Sequence, residues 1–182
     1  MSIYGIYDVI ADRVNEGKLF HVPHAMGFPL MRRIVASGEI NELIVGPWVT
    51  QEWKLRCLGL RADLDRFLDG TLINAALPSK DKPYASKPNA SMRLLHPWAN
   101  EIWEIRSTND KPSIRVFGRF ADVNLFIALT WSKRKDLKEP TSRQWRDARV
   151  SCKTEWTKLL YPYSPLSGAD LHDYISTDAV LI

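Results

Sequence analysis

The sequence predicts an α+β fold, in which an antiparallel sheet of three to four strands packs against helices and carries an N-terminal helical extension. Three consecutive apolar runs with short turns between them predict the strands. A helical apolar stripe follows these runs, and another opens the chain. The 182 residues, 45% of them hydrophobic, suffice for one medium domain with a packed core.

The first predicted segment, residues 1–40, is the helical extension. Apolar residues recur every three or four positions over residues 3–16, which predicts an amphipathic helix that ends at Gly17. A loop rich in proline and glycine follows over residues 21–29. A short helix is then predicted over residues 30–36, before Gly38.

The second predicted segment, residues 41–160, is the α+β domain. Residues 43–48 predict a first strand that lies at an edge, because Pro47 cannot donate a ladder hydrogen bond. Two helices are expected between Thr50 and Gly70. The three principal strands cover residues 101–106, 114–120 and 123–130.

A long helix closes this domain. It is expected to begin after Pro140, at Thr141 and Ser142, and to run to about Leu160. Its apolar stripe comprises Trp145, Ala148, Cys152, Trp156 and Leu159. The third predicted segment, residues 161–182, is a mildly acidic C-terminal tail.

Positive charge is concentrated in one part of the chain. The formal net charge is only +4, but residues 80–160 contain 17 basic and 9 acidic residues, whereas the rest contains 8 and 12. A basic segment with a net charge of +8 therefore lies between acidic flanks. Such a distribution favours an anionic partner more than the total charge suggests.

Strand periodicity organises this positive charge into a predicted cationic surface. Side chains alternate along a strand, so Glu104 and Arg106 share one face, as do Arg115 and Arg119 on the next strand. A basic turn follows the third strand. The surface with its aromatic stacking partners comprises Arg106, Arg115, Phe117, Arg119, Trp131, Lys133, Arg134, Lys135 and Lys138.

Guanidinium and ammonium groups hold phosphates and aromatic rings stack on unpaired bases, so this surface is typical of RNA contact. A second interpretation stays open at this point. In it, Arg106 pairs with Glu104 and the lysine run is a solvated turn.

Several short motifs follow one another in the basic segment. They are Arg93-Leu-Leu95, Ile102-Trp-Glu-Ile-Arg106, Ile114-Arg-Val-Phe117, the apolar strand to Leu129, Lys133-Arg-Lys135 and the following helix. Their order resembles the RelE/HigB-type toxins of bacterial toxin–antitoxin systems. The resemblance covers roughly residues 43–160, is best over residues 93–149, and implies a RelE/ParE-like sheet with helices packed on one side.

The resemblance also implies a metal-independent endoribonuclease that cleaves messenger RNA on the ribosome. In that chemistry the ribose 2′-hydroxyl attacks the adjacent phosphate, so the site must activate the hydroxyl, stabilise negative charge and protonate the leaving oxygen. Arg106 and Arg115 match the strand arginines of the family and are expected to hold the phosphate. Lys133 and Lys135 match its basic turn and are expected to add positive charge or to assist proton transfer.

The sequence departs from the family pattern at two points. Gly118 stands where many relatives have Tyr or Phe, and no residue aligns with the Tyr or His that transfers a proton in several of them. His96 is the catalytic candidate from the sequence. Tyr84, Tyr161 and Tyr163 are further candidates. The expected RNA-binding residues are Arg119, Trp131, Arg134, Lys135 and Lys138.

The sequence leaves two functions open. One is the toxin, with RNA, the ribosome and a cognate antitoxin protein as partners. The other is a catalytically silent relative that binds RNA or a nucleoprotein as an inhibitor or adaptor. No cofactor or metal is expected, since His21 and His24 provide too few ligands for zinc. The absence of a signal-peptide pattern and of a membrane-length apolar run predicts a cytoplasmic protein with no membrane contact.

Overall fold

The chain folds around one sheet in which eight strands are described. The computed structural model describes residues 5–24, 31–78, 81, 83–84, 89–107 and 113–181. The strands are β1 (Leu19–His21), β2 (Arg33–Ser37), β3 (Ile73–Ala76), β4 (Met92–Leu94), β5 (Trp103–Arg106), β6 (Ile114–Asp122), β7 (Leu125–Lys133) and β8 (Ala179–Leu181). The helices are α1 (Ile6–Asn15), α2 (Gly38–Val45), α3 (Gln51–Leu68), α4 (Arg134–Leu137) and α5 (Arg143–Leu160).

The strand order is β1-β2-β7-β6-β5-β4-β3-β8. Strands β4 to β7 are consecutive antiparallel neighbours, which confirms the predicted hairpins over residues 101–130. Strand β2 is parallel to β7, and β3 is parallel to both β4 and β8. The α+β class is therefore confirmed, but the antiparallel sheet of three to four strands is wrong. Segments before and after the basic segment add further strands, and the sheet is mixed.

Two local predictions exchange helix and strand. Residues 33–37 form β2, not a helix, and Ile34, Val35 and Ala36 are all buried because helices cover both faces of the sheet there. Residues 43–48 do not form a strand. The helix α2 instead begins after Ser37, whose Oγ accepts a hydrogen bond from the backbone N–H of Ile40.

The N-terminal extension is therefore not purely helical, since it contributes α1 and the two strands β1 and β2 to the common sheet. The tail joins the same sheet through β8. Residues 1–4 and 25–30, which include parts of the predicted first helix and loop, lie outside the described residues. None of the described helices combines the length and the apolar character needed to span a bilayer.

The helices cover the two faces of the sheet. On one face, α2 and α3 pack on a core that includes Met92, Trp103 and Phe120. On the other face, α1 and α5 pack on Phe117 and Leu129. The helix α5 agrees with the prediction in both its N-cap, Ser142, and its buried stripe. We refer below to these sides of the sheet as the α3 face and the α5 face.

Candidate functional site

Four charged side chains from three neighbouring strands meet on the α5 face. Arg93 of β4 lies opposite Glu104 of β5, and Arg106 of β5 lies opposite Arg115 of β6. Residues directly opposite one another in an antiparallel pair project to the same side. The next residues along, such as Ile105 and Val116, project to the α3 face and pack in its core.

Glu104 is the centre of this group and is 1% exposed. Its Oε1 lies 3.0 Å from Nε of Arg93 and 3.8 Å from Nε of Arg106, and its Oε2 lies 3.7 Å from Nε of Arg115. One carboxylate thus faces three guanidinium groups. These four described side chains together carry a formal net charge of +2.

Further contacts hold the arginine side chains in place. Nη1 of Arg115 donates to the carbonyl oxygens of Ser107, at 3.3 Å, and Ile114, at 3.1 Å. Nη1 of Arg106 donates to the carbonyl oxygen of Ala90 at 3.2 Å. The guanidinium of Arg93 lies 5.9 Å from the ring centre of Trp145 in α5. These contacts hold the arginine side chains in place before any ligand binds. A ligand therefore loses little binding free energy to ordering these side chains.

Burial is the main influence on the pKa of Arg115 and of Arg106. It lowers the pKa of the Arg115 guanidinium to about 10, against the opposing effect of Glu104, so the group stays protonated at neutral pH. Burial also lowers the pKa of Arg106, and the neighbouring Arg93 and Arg134 lower it further. An anion that binds between these guanidinium groups favours their charged form.

A cavity of about 540 Å³ opens onto this group. We call it the arginine pocket. Its described lining residues are Tyr84, Arg93, Glu104, Arg106, Arg115, Arg134, Glu139, Pro140, Thr141 and Trp145. Four arginines and two glutamates give it a net charge of +2 among these residues. Arg134 comes from α4, where its Nη1 donates to the carbonyl oxygen of Lys138 at 2.8 Å.

The pocket includes four of the residues singled out from the sequence, namely Tyr84, Arg106, Arg115 and Arg134. Arg106 lies near Glu104, as the second interpretation expected, and it also lines the pocket. Lys135 in α4 and Lys138 just after α4 are exposed, and neither is among the described lining residues of the pocket. Trp145 and the buried Phe117 pack edge to face at 5.7 Å, so Phe117 is part of the core beneath the surface.

Arg119 lies on the α5 face but away from the arginine pocket. Phe117 separates it from Arg115 along β6, and its guanidinium lies 5.2 Å from the ring centre of Trp156. Its Nη2 donates to the carbonyl oxygen of Asn100 at 2.6 Å, and the residue is 8% exposed. These contacts tie Arg119 to α5 and to the turn before β5.

Trp131 and Lys133 project to the α3 face. A bulge in β7 places Thr130 opposite Phe117 and Ala128 opposite Gly118, so Leu129 is an extra residue in the ladder. Trp131 then packs on Trp53 of α3 with ring centres 5.5 Å apart. Nζ of Lys133 lies 4.9 Å from the ring centre of the same Trp53. The sheet therefore separates both residues from the arginine pocket.

His96 lies next to the pocket without being among its described lining residues. Its ring stands edge-on to Tyr84 on one side and to Trp98 on the other, with 5.2 Å between ring centres in both pairs. Tyr84 belongs to the pocket lining, so His96 borders the site through this tyrosine. Among the described residues, Tyr161 and Tyr163 do not line the pocket.

Sequence reasoning missed Arg93 and did not use Glu104 as part of the site. A signal for both was available. The motif Arg93-Leu-Leu95 forms a strand antiparallel to β5, and opposite charges are favourable partners across such a pair. Predicting β4 as a fourth strand of the meander would have placed Arg93 beside Glu104.

No family model matches the chain, and comparisons with curated proteins and with solved structures find no significant match. The described residues also contain no cluster of three His, Cys, Asp or Glu side chains arranged as metal ligands.

Proposed function

We propose that the chain is a RelE/HigB-like endoribonuclease that binds the scissile phosphate of RNA in the arginine pocket. The observation that carries this proposal is the meeting of Arg93, Arg106, Arg115 and Arg134 in one cavity with an excess of positive charge. Planar guanidinium groups are well matched to phosphate oxygens, to which they can donate two parallel hydrogen bonds.

The proposed reaction needs such an excess of charge. As the 2′ oxygen attacks the adjacent phosphorus and loses its proton, negative charge builds up on the phosphate oxygens. This charge passes to the 5′ oxygen as its bond to phosphorus breaks. Fixed cations aimed at that charge lower the barrier because they need no reorganisation during the reaction. The products are a 2′,3′-cyclic phosphate and a free 5′-hydroxyl.

Two proton transfers complete the proposed step. The pocket carboxylate Glu139, which is exposed, accepts the proton of the 2′-hydroxyl, and the hydroxyl of Tyr84 donates a proton to the leaving 5′ oxygen. Tyr84→Phe removes this donor and keeps the ring that contacts His96. It is expected to lower the cleavage rate by a factor of about 10²–10⁴ without weakening RNA binding to the same extent.

Cleavage of a defined messenger RNA in a translation extract tests the enzymatic claim. Arg106→Ala and Arg134→Ala are expected to lower the rate by at least about 100-fold, as the loss of one charge-stabilising donor does in other enzymes. Arg143→Ala is the matched control, because this exposed arginine of α5 pairs with Asp147 outside the pocket. Circular dichroism establishes that each variant is folded. Intact message at stoichiometric protein would exclude the ribonuclease.

A second candidate is the catalytically silent protein that binds RNA or a nucleoprotein as an inhibitor or adaptor. It is favoured by the three ion pairs of Glu104 and by the placement of His96 and Lys133 outside the pocket. Expression of the chain alone separates the candidates. A ribonuclease toxin arrests growth unless an antitoxin partner is present, whereas a binding protein is tolerated.

Salt dependence tests the phosphate contact that both candidates share. If Arg134 neutralises one phosphate, Arg134→Ala should reduce the slope of log affinity against log salt by about 1. RNA affinity that does not change with salt would argue against both candidates.

A further inference from the structure

A second cavity lies at the end of strands β3, β4 and β5, beneath the C-terminal half of α3. Its volume is about 400 Å³, within the usual range for small-molecule sites. We call it the edge cavity. Its described lining residues are Asp63, Arg66, Phe67, Thr71, Leu72, Ile73, Asn74, Asn89, Ala90, Ser91, Met92, Ile105 and Arg106.

Arg106 lines both the edge cavity and the arginine pocket. Its Nη1 donates to the carbonyl oxygen of Ala90, which itself lines the edge cavity, while its Nε lies 3.8 Å from Glu104 in the pocket. The side chain thus forms the boundary between the two cavities. A ligand that places a phosphate on Arg106 has a second cavity directly beside that phosphate.

The lining of the edge cavity combines apolar walls with a polar rim. Phe67, Met92 and Ile105 offer side chains against which a flat ring can pack. Asn74 and Asn89 add amide groups that can both donate and accept hydrogen bonds, and Ser91 is exposed at the same rim. Flat apolar contact together with amide hydrogen bonds is the chemistry by which proteins recognise an unpaired base.

We propose that the edge cavity holds the base of the ribonucleotide whose phosphate occupies the arginine pocket, with Arg106 between the two. This inference rests on the proposed function, because it takes the pocket as a phosphate site of RNA. In this proposal the edge cavity sets which RNA base the protein prefers. The four arginines hold any phosphate, and the rim around Asn74 and Asn89 selects the base.

The test compares ligands that differ only in the base. The wild-type protein is titrated by calorimetry with ribose 5-phosphate and with the 5′-monophosphates of adenosine, guanosine, cytidine and uridine. At least one nucleotide is expected to bind about tenfold more tightly than ribose 5-phosphate, which is the gain typical of one stacked base.

Ser91→Phe places a large side chain at the rim of the edge cavity. It is expected to bring the affinity for the preferred nucleotide to within about twofold of the affinity for ribose 5-phosphate. The control is Val150→Phe, the same introduced side chain at an exposed position of α5 outside the described lining of both cavities, which keeps the tenfold preference. Ribose 5-phosphate should bind both variants as it binds the wild type. Melting temperatures establish that the variants are folded.

The outcomes separate this inference from the proposed function. If ribose 5-phosphate and all four nucleotides bind equally, and Arg106→Ala weakens them all, the phosphate site stands and the base site is refuted. A base preference that survives in Ser91→Phe also refutes the base site. If none of the five ligands binds the wild-type protein, the phosphate site itself is refuted.

Discussion

Glu104→Gln tests the electrostatic description of the arginine pocket directly. The substitution keeps the size of the side chain and removes the charge that faces Arg93, Arg106 and Arg115 at 3.0, 3.8 and 3.7 Å. Removing one partner of a buried ion pair costs about 3–5 kcal/mol of stability, because the remaining charge is left uncompensated. Glu104 contacts three guanidinium groups at once, so we expect a loss near the upper end of that range.

The free energy of unfolding in urea at pH 7 measures this loss. Glu52→Gln is the control, since this carboxylate is 76% exposed and pairs with Arg56 on the surface of α3, and its loss should be at most about 0.5 kcal/mol. Inorganic phosphate should restore part of the stability of Glu104→Gln, because an anion that binds the folded pocket stabilises it by mass action. A loss no larger than that of Glu52→Gln, with no effect of phosphate, would refute the reasoning.

Three further predictions concern the fold around the site. Gly118→Ala should cost about 1–3 kcal/mol in urea unfolding, because a Cβ would lie 2.2 Å from the carbonyl oxygen of Ile127 and the strands would have to shift. Ser142→Ala should cost about 0.5–2 kcal/mol by the same measurement, since its Oγ accepts a hydrogen bond from the backbone N–H of Trp145 and caps α5. Burial raises the pKa of the Cys152 thiol to about 12, so this thiol should not react with a thiol reagent at pH 8 until the protein is unfolded. In the unfolded chain the Cys152 thiol ionises above its ordinary pKa of about 9, whereas in the folded chain it stays protonated up to about pH 12. The contribution of this thiol to the free energy of unfolding is therefore complete below pH 9 and is lost as the pH rises toward 12.

Each of these predictions has a defined failure. Gly38→Ala, where a Cβ would have its nearest contact at 4.0 Å, should leave stability nearly unchanged, and an equal loss in both glycine variants would contradict the clash at Gly118. A Ser142→Ala protein as stable as the wild type would show that the cap is not needed. Rapid labelling of Cys152 in the folded state would contradict its burial.

Elements that depend on local signals were predictable from the sequence. The helix α5 has both a strong apolar period and a capping serine, and both agree with the structure. Strands β5, β6 and β7 were predictable because turn residues separate them. The segments β2 and α2 were not, since a short apolar run fits either a buried strand or a helix face. Pairing with β7, which is distant in sequence, makes the first segment a strand. The N-cap at Ser37 begins the helix in the second segment.

The site was predictable only in part, because its composition depends on strand register. Arg106 and Arg115 follow from simple alternation and from the antiparallel pairing of β5 with β6. The positions of Trp131 and Lys133 require knowledge of the bulge. Without the extra residue, Trp131 would lie opposite Arg115 on the α5 face, whereas the observed register places Ser132 there.

Gly118 connects this bulge to the departure from the family pattern. It lies at the register shift, and the space that its side chain would occupy is taken by the carbonyl oxygen of Ile127 and the ring of Phe126. A larger residue at this position, as in many RelE/HigB-type sequences, is therefore incompatible with the register of β7 seen here. Because that register sends Lys133 to the α3 face, Arg134 becomes the residue of the basic turn that enters the pocket. The close packing at Gly118 is thus part of the register in which Arg134, and not Lys133, lines the arginine pocket.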